Sequence, residues 1–281
     1  MKTVPLRRRI RVITTTLFLV AFPAFFYYLS PFIPLIASVE GIISGSLVIF
    51  AVLFLAAIFL GRGFCAYVCP GGTLQDLLAE GRSCAFPRRA SGWLKYAIWA
   101  VWLGMLVFFF RRAGGVQGIR VAFHTEHGLS VTNVHALIIY LIVVAGFAGL
   151  ALAFGRRAAC HTVCWMAPFM VLGHRLGFAT GLPSLRVAAA PETCTSCYRC
   201  DNACPMSLPV SRLQRRGTIT SSDCILCGRC VDTCPKKTLS FRWRQGGVAG
   251  AATGSVPRSS GSVSTEPWSS VGLRSSRTVS R

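Results

Sequence analysis

Charged side chains are scarce in this chain of 281 residues: 14% are charged and 53% hydrophobic, whereas soluble domains carry about 25% charged residues. That scarcity excludes an ordinary soluble domain and leads to a search for apolar runs of about 20 residues. Acidic residues are rarer still, nine against thirty Lys and Arg, for a net charge of +21. On a soluble fold such a surplus would suggest nucleic acid. Here the arginines sit between apolar runs and near the two ends, as topology charges do, so no nucleic-acid partner is expected. A clean small-x-small cleavage site is also missing after the first apolar run, which is therefore read as a retained span and not a signal peptide. The link to the second run holds no Lys or Arg and is too short to form a periplasmic domain.

Four apolar stretches remain, roughly Ile13 to Ile33, Ile36 to Leu60, Trp93 to Phe110 and Val131 to Phe154. Each is long enough to cross a bilayer. Arg7, Arg8, Arg9 and Arg11 precede the first, Arg62, Arg82, Arg88, Arg89 and Lys95 follow the second, and Arg156, Arg157 and Arg175 follow the fourth. Positive-inside bias then predicts four crossings of the inner, cytoplasmic membrane with both termini in the cytoplasm. Arg111, Arg112 and Arg120, after the third stretch, are discordant. The predicted organisation is a four-span membrane domain over residues 1–181, a cysteine-rich polar domain over 182–243, and a Gly/Ser/Arg-rich tail over 244–281 expected to be disordered.

Thirteen cysteines are present, and twelve fall into patterns. The densest reads Cys194-x2-Cys197-x2-Cys200-x3-Cys204-Pro205 and then Cys224-x2-Cys227-x2-Cys230-x3-Cys234-Pro235. A cubane cluster needs four converging thiolates. Three at two-residue gaps wrap three corners of one cube, and the fourth reaches the other cube. The spacing therefore assigns Cys194, Cys197, Cys200 and Cys234 to one [4Fe–4S] cluster, and Cys224, Cys227, Cys230 and Cys204 to a second. Zinc knuckles would not require this string twice. The fold class read from the sequence is an α-helical integral membrane protein with an internal twofold repeat, joined to a small α+β two-cluster ferredoxin domain. Arg199, Arg229, Lys236 and Lys237 lie beside these ligands, where they either tune the clusters or form a solvated basic face.

Two further strings follow the second and fourth spans: Gly61-Arg62-Gly63-Phe64-Cys65-x3-Cys69-Pro70 and Gly155-Arg156-Arg157-Ala158-Ala159-Cys160-x3-Cys164-Trp165. If these segments are helical, cysteines four apart share a face. A twofold repeat would then bring Cys65, Cys69, Cys160 and Cys164 together as redox dithiols, as metal ligands, or as small packing residues. Cys84 stands alone and is read as structural.

These features together resemble the NapH family, the membrane ferredoxin-type proteins of periplasmic nitrate reductase systems, and its relatives such as the methylamine-utilisation ferredoxin-type protein. The resemblance runs roughly from Arg7 to Trp243, and Trp165 stands where the first string has proline. It implies electron transfer between the quinone pool and a partner redox protein, by an electron-transfer subunit of a quinol-linked oxidoreductase and not a complete enzyme. It carries over the eight ferredoxin cysteines and both Cys-x3-Cys pairs. A quinol site also needs a proton acceptor. The candidates are His161 on the inner side, with His174, Asp76 and Glu80 near it, and His124, Glu126 and His127 on the outer side, with His135. Two other functions fit the same residues: a metal-ion reductase or maturation factor for a membrane enzyme, and a cluster-based redox sensor.

Overall fold

The computed structural model describes residues 6–79 and 92–245; Glu80, Cys84, Arg82, Arg88, Arg89 and the tail from residue 246 lie outside the described residues. The first apolar stretch does not form one helix. Helix α1 (Leu6–Val20) is followed by α2 (Phe22–Phe25) and a 3-10 turn at Phe26–Leu29, with a bend of 64° between α1 and the segment that follows. Pro23, in the first turn of α2, removes a backbone donor that a continuous helix would need. A separate helix, α3 (Phe32–Val39), starts after Pro31.

The second stretch is also interrupted. The chain turns at Glu40 and Gly41, forms the short strand β1 (Ile42–Ser44), and only then enters α4 (Gly45–Leu60). Gly41 has φ +67, and a Cβ there would lie 2.8 Å from the carbonyl oxygen of Gly115. Sixteen residues in α4 make about 24 Å of helix at 1.5 Å per residue, short of a hydrocarbon core about 30 Å thick. After α5 (Phe64–Tyr67) and α6 (Pro70–Leu78) come α7 (Leu94–Arg112), strand β2 (Gly118–Arg120) and α8 (Val134–Phe154). Among the described residues, only α7 and α8 are long and apolar enough to cross a membrane as single helices. The bent segment from α1 through Leu29 makes a third candidate if it counts as one span. Where four spans were expected, the described residues thus hold two candidate spans, or three with the bent one, because proline and glycine breaks interrupt the first two apolar stretches. Strands β1 and β2 pair in parallel, Ile42 opposite Gly118, which ties the link before α4 to the loop bearing Arg120.

Helix α9 (Ala158–Thr162) and helix α10 (Met166–Ala179) complete the membrane part. Helices α4 and α10 approach backbone to backbone: a Cβ on Gly173 would overlap the carbonyl oxygen of Phe54, and one on Gly177 that of Ile58. Small residues one turn apart allow such contact. Beside this seam Phe50 stacks on Phe169 at 5.4 Å, and Trp99 and Trp102 meet Phe169 edge-on at 5.4 and 5.9 Å.

The cysteine-rich part is framed by two antiparallel strands, β3 (Pro183–Ala189) and β4 (Leu239–Gln245), in register from Pro183 opposite Gln245 to Ala189 opposite Leu239. Between them lie α11 (Arg199–Ala203), α12 (Val210–Leu213) and α13 (Arg229–Thr233), with α11 packed on α13. The two halves repeat one another in backbone conformation. Ser196, Tyr198 and Ser207 have positive φ, and so do Leu226, Gly228 and Lys237 at the matching places thirty residues on. Left-handed residues outside glycine are uncommon, so their recurrence marks two copies of one cysteine loop.

Candidate functional site

The two cysteine loops build two pockets. One is lined by Cys194, Cys197 and Cys200 together with Cys234 from the other string. The second is lined by Cys224, Cys227 and Cys230 together with Cys204. Each pocket thus draws three thiols from one loop and the fourth from its partner. The sulfurs also receive donors: Gln214 Nε2 donates to Cys194 at 2.7 Å, and the amides of Ser196 and Leu208 donate to Cys194 and Cys204 at 3.3 and 3.5 Å. Donors of this kind suit thiolate held by iron. Burial pushes the Cys224 thiol up to about 12 and the Cys200 thiol up to about 11. At Cys234 burial is outweighed by hydrogen bonds from Thr238 and nearby amides, which hold the thiol below its ordinary value. Metal binding favours the thiolate and so opposes the effect of burial at Cys224 and Cys200. Of the eight, Cys197 is exposed and Cys204 is buried.

The loop from Asp223 to Arg229 rests on the end of α4 and the start of α7. Lys95 Nζ, at the start of α7, meets Asp223 at 3.1 Å, and Arg62 Nη1 meets the same carboxylate at 3.3 Å. Burial alone would push the Asp223 carboxyl up, but Lys95 and Arg62 hold it down at about 2. Asp76 of α6 takes Arg157 on both oxygens at 2.8 and 2.9 Å, and Arg229 at 3.2 Å. Helix α1 joins in through Arg7, paired with Asp232, and Arg11, which donates to the Cys227 carbonyl at 2.9 Å. A Cβ on Gly61 would touch Leu226 and His174.

Just beneath lie the other four cysteines. Helix α4 ends at Gly61 (φ +53) and α8 at Gly155 (φ +89), each amide bonding back to an alanine carbonyl four residues earlier, Ala57 and Ala151. The chain then coils into α5 or α9, and the backbone amides of Cys69 and Cys164 donate to the carbonyls of Phe64 and Ala159, both at 3.0 Å. Cys65, Cys69, Cys160 and Cys164 are all free thiols between 5% and 7% exposed. Cys65, Cys160 and Cys164 all lie within electrostatic range of Cys69. Gln75, fully buried, ties the two strings: its Nε2 reaches Cys160 Sγ at 3.3 Å and its Oε1 accepts from the Ala159 amide at 3.0 Å. Among the described residues, no three His, Cys, Asp or Glu side chains are gathered as a single metal ion would need; this holds for the ferredoxin thiols as for these four.

An apolar cavity of about 500 Å³ adjoins three of the four thiols. Cys69, Cys160 and Cys164 form part of its wall, and Phe22, Tyr140 and Phe147 are among the residues around it. His161 is buried next to Cys160 and acts on Asp223. His124, Glu126 and His127 are exposed in a turn closed by the Glu126–Leu129 bridge, and none of them lines this cavity. Reading loop charges missed that Arg62, Lys95 and Arg157 turn inward. One signal was available: in both strings an arginine follows the glycine that ends the helix, at Gly61-Arg62 and Gly155-Arg156-Arg157.

Comparison with known proteins agrees with the thiol chemistry. Residues 45–93 match the family model described as a 4Fe-4S binding domain, and residues 193–239 match the 4Fe-4S dicluster domain. A curated relative from Escherichia coli (strain K12), "Putative electron transport protein YccM", is 24% identical over 191 residues, 60% of this chain and 48% of its own length. The chain thus spans about half the length of that relative. No solved structure matches it. The protein therefore carries two 4Fe–4S segments of ferredoxin type, together with two candidate membrane spans.

Proposed function

We propose that this chain, with its two 4Fe–4S segments, is a membrane-bound electron-transfer protein passing electrons between the quinone pool and a partner redox protein. The apolar cavity carries the reading. It has room for a quinone ring, lies among α1, α2 and α8, and is walled by thiols that stand directly beneath the ferredoxin loop. The name of the Escherichia coli relative and the resemblance to the NapH family point the same way.

In this reading Cys194, Cys197, Cys200 and Cys234 hold one four-iron cluster, Cys224, Cys227, Cys230 and Cys204 hold the other, and the clusters supply one-electron chemistry. The residues suit that task, since each pocket presents four thiols and amide donors. The inner set is fixed against the membrane by Asp223, Arg11 and Arg229. The outer set shows Cys197 to solvent beside exposed Arg199, Lys236 and Lys237, the face on which a partner redox protein would dock. Buried His161, next in the chain to the cavity-lining Cys160 though not itself on the wall, is the candidate proton acceptor in preference to the exposed outer residues. Four crossings, a twofold repeat and cytoplasmic termini belong to the same proposal. The matching hydrogen bonds of the two Cys-x3-Cys strings support the repeat. The bonds from Arg7 and Arg11 to the ferredoxin loop support a shared face for the chain start and the clusters.

Gly146 lines the cavity, and a Cβ placed on it meets nothing within 4 Å. Gly146→Trp should therefore fill the cavity without disturbing the helix. Dithionite-reduced protein in detergent, mixed anaerobically with a short-chain quinone, should be reoxidised within the mixing experiment. The variant should react at least about tenfold more slowly, the loss of roughly 1.4 kcal/mol of binding, with unchanged iron content. Equal rates in the two proteins would remove the cavity from the reading, and no reoxidation of the wild type would remove the quinone.

A further inference from the structure

We infer that Cys65, Cys69, Cys160 and Cys164 together hold a third iron–sulfur cluster, at the junction between the membrane helices and the ferredoxin domain. The matched 4Fe–4S segment ends at residue 93 and holds Cys65, Cys69 and, outside the described residues, Cys84, fewer than the four thiolates a cluster needs. The fold supplies Cys160 and Cys164 from residues outside that match, through a second string with the same backbone hydrogen bonds.

Charge gives an independent reason. Arg62 and Arg157 are only 1% and 2% exposed, and Lys95 3%. Burying a cation without compensation costs several kcal/mol. Arg157 is satisfied by Asp76, and Lys95 by Asp223. Among the described residues, Arg62 has one long contact, to the carboxylate Lys95 already uses, and its Nε and Nη2 are buried without a hydrogen-bond partner. The same guanidinium lies in the field of Cys65, Cys164 and Cys160. Among the described residues, three buried cations face two carboxylates, so these residues carry surplus positive charge beside four sulfurs. Neutral thiols packed as small apolar residues leave that surplus unexplained; a cluster of thiolates and sulfide offsets it.

The spacing argues against a single ion. These four thiols, like the ferredoxin sets, are not gathered around one point, and the corners of a cluster are farther apart than the ligands of one zinc or copper ion. The inference goes beyond the quinone reading and does not depend on it.

The test is a metal and sulfide count on anaerobically purified, reconstituted full-length protein, with Mössbauer spectra. About twelve irons per chain are expected, or about ten if the added centre is [2Fe–2S]; about eight, the content of the dicluster domain alone, would overturn the inference. A count of about four would instead mean that the ferredoxin reading is at fault. The wild-type count needs no variant to fold. A Cys65→Ser, Cys160→Ser double variant should lose two to four irons and one Mössbauer component while keeping the ferredoxin signals. Loss of one equivalent of zinc or copper, with iron unchanged, would also overturn it. Arg62→Gln should keep the iron count but lower the midpoint potential of the additional component only, a change that a purely structural role for Arg62 would not produce.

Discussion

Asp76→Asn is expected to destabilise the protein by about 3–5 kcal/mol, the usual cost of removing one partner from a buried ion pair. The substitution is nearly isosteric, so packing should survive and the loss should be electrostatic. It leaves Arg157, 2% exposed, without its bidentate acceptor, and deprives Arg229 of its carboxylate. Because Asp76 sits in α6, Arg157 before α9 and Arg229 on the ferredoxin domain, the change should loosen all three together. Thermal unfolding in detergent measures it, and a shift equivalent to less than about 1 kcal/mol, the value of an exposed pair, would show that the contact is not buried in solution. The Asp76→Asn, Arg157→Met double variant should recover part of the loss, since a buried pair replaced as a whole is close to neutral.

The same carboxylate predicts a pH dependence. Burial alone would raise the Asp76 pKa, but Arg157, through charge and hydrogen bonds, with Arg229 and Arg11, holds it below the ordinary carboxylate value. A group depressed in the folded state stabilises fully above its unfolded pKa, near 4, and that contribution disappears as pH falls through the lowered value. The wild-type unfolding midpoint should therefore drop below about pH 4. Asp76→Asn should start lower and show a smaller further drop. Parallel curves for the two proteins would assign the acid sensitivity to other groups.

Gly177→Leu should have the second large effect. Its Cβ would overlap the Ile58 carbonyl, a backbone atom that cannot rotate aside, so α4 and α10 must separate. Overpacking typically costs 1–3 kcal/mol, and this site should reach about 3 because backbone and not side chain must move. Helix α10 begins just after Cys164, and its displacement should also drag that thiol from the other three. Gly149→Ala on α8 is the comparison: a Cβ there meets nothing within 4 Å, and alanine should gain up to about 1 kcal/mol by helix propensity. Monodispersity after detergent extraction and the thermal midpoint separate the two. Equal behaviour would mean that the α4–α10 seam is looser than the backbone distances require.

Reading the chain in order worked where the chemistry is local. Each triplet of ferredoxin cysteines spans seven residues, so spacing alone implies a loop around a cube, and the two loops indeed surround separate pockets. The apolar runs of α7 and α8 were equally plain, being uninterrupted by proline or by a tight glycine turn. The course of the first two runs was less legible, because hydropathy averages over Pro23, Pro31 and Gly41, whose effects are those of a missing donor, a fixed dihedral and a positive φ. His124 and His127 are exposed in the structure, as hydration of loop histidines would have it.

From its order of residues alone, this protein was bound to carry thiol loops for iron–sulfur chemistry and apolar helices for lipid, because both depend on neighbours within a few turns of chain. Folding decided which arginines would serve a charge partner and which would meet water. Arg62 finds Asp223 and Arg157 finds Asp76 across 161 and 81 positions, and a charge's energy depends on its burial and on distance through space, neither of which a count of loop residues contains.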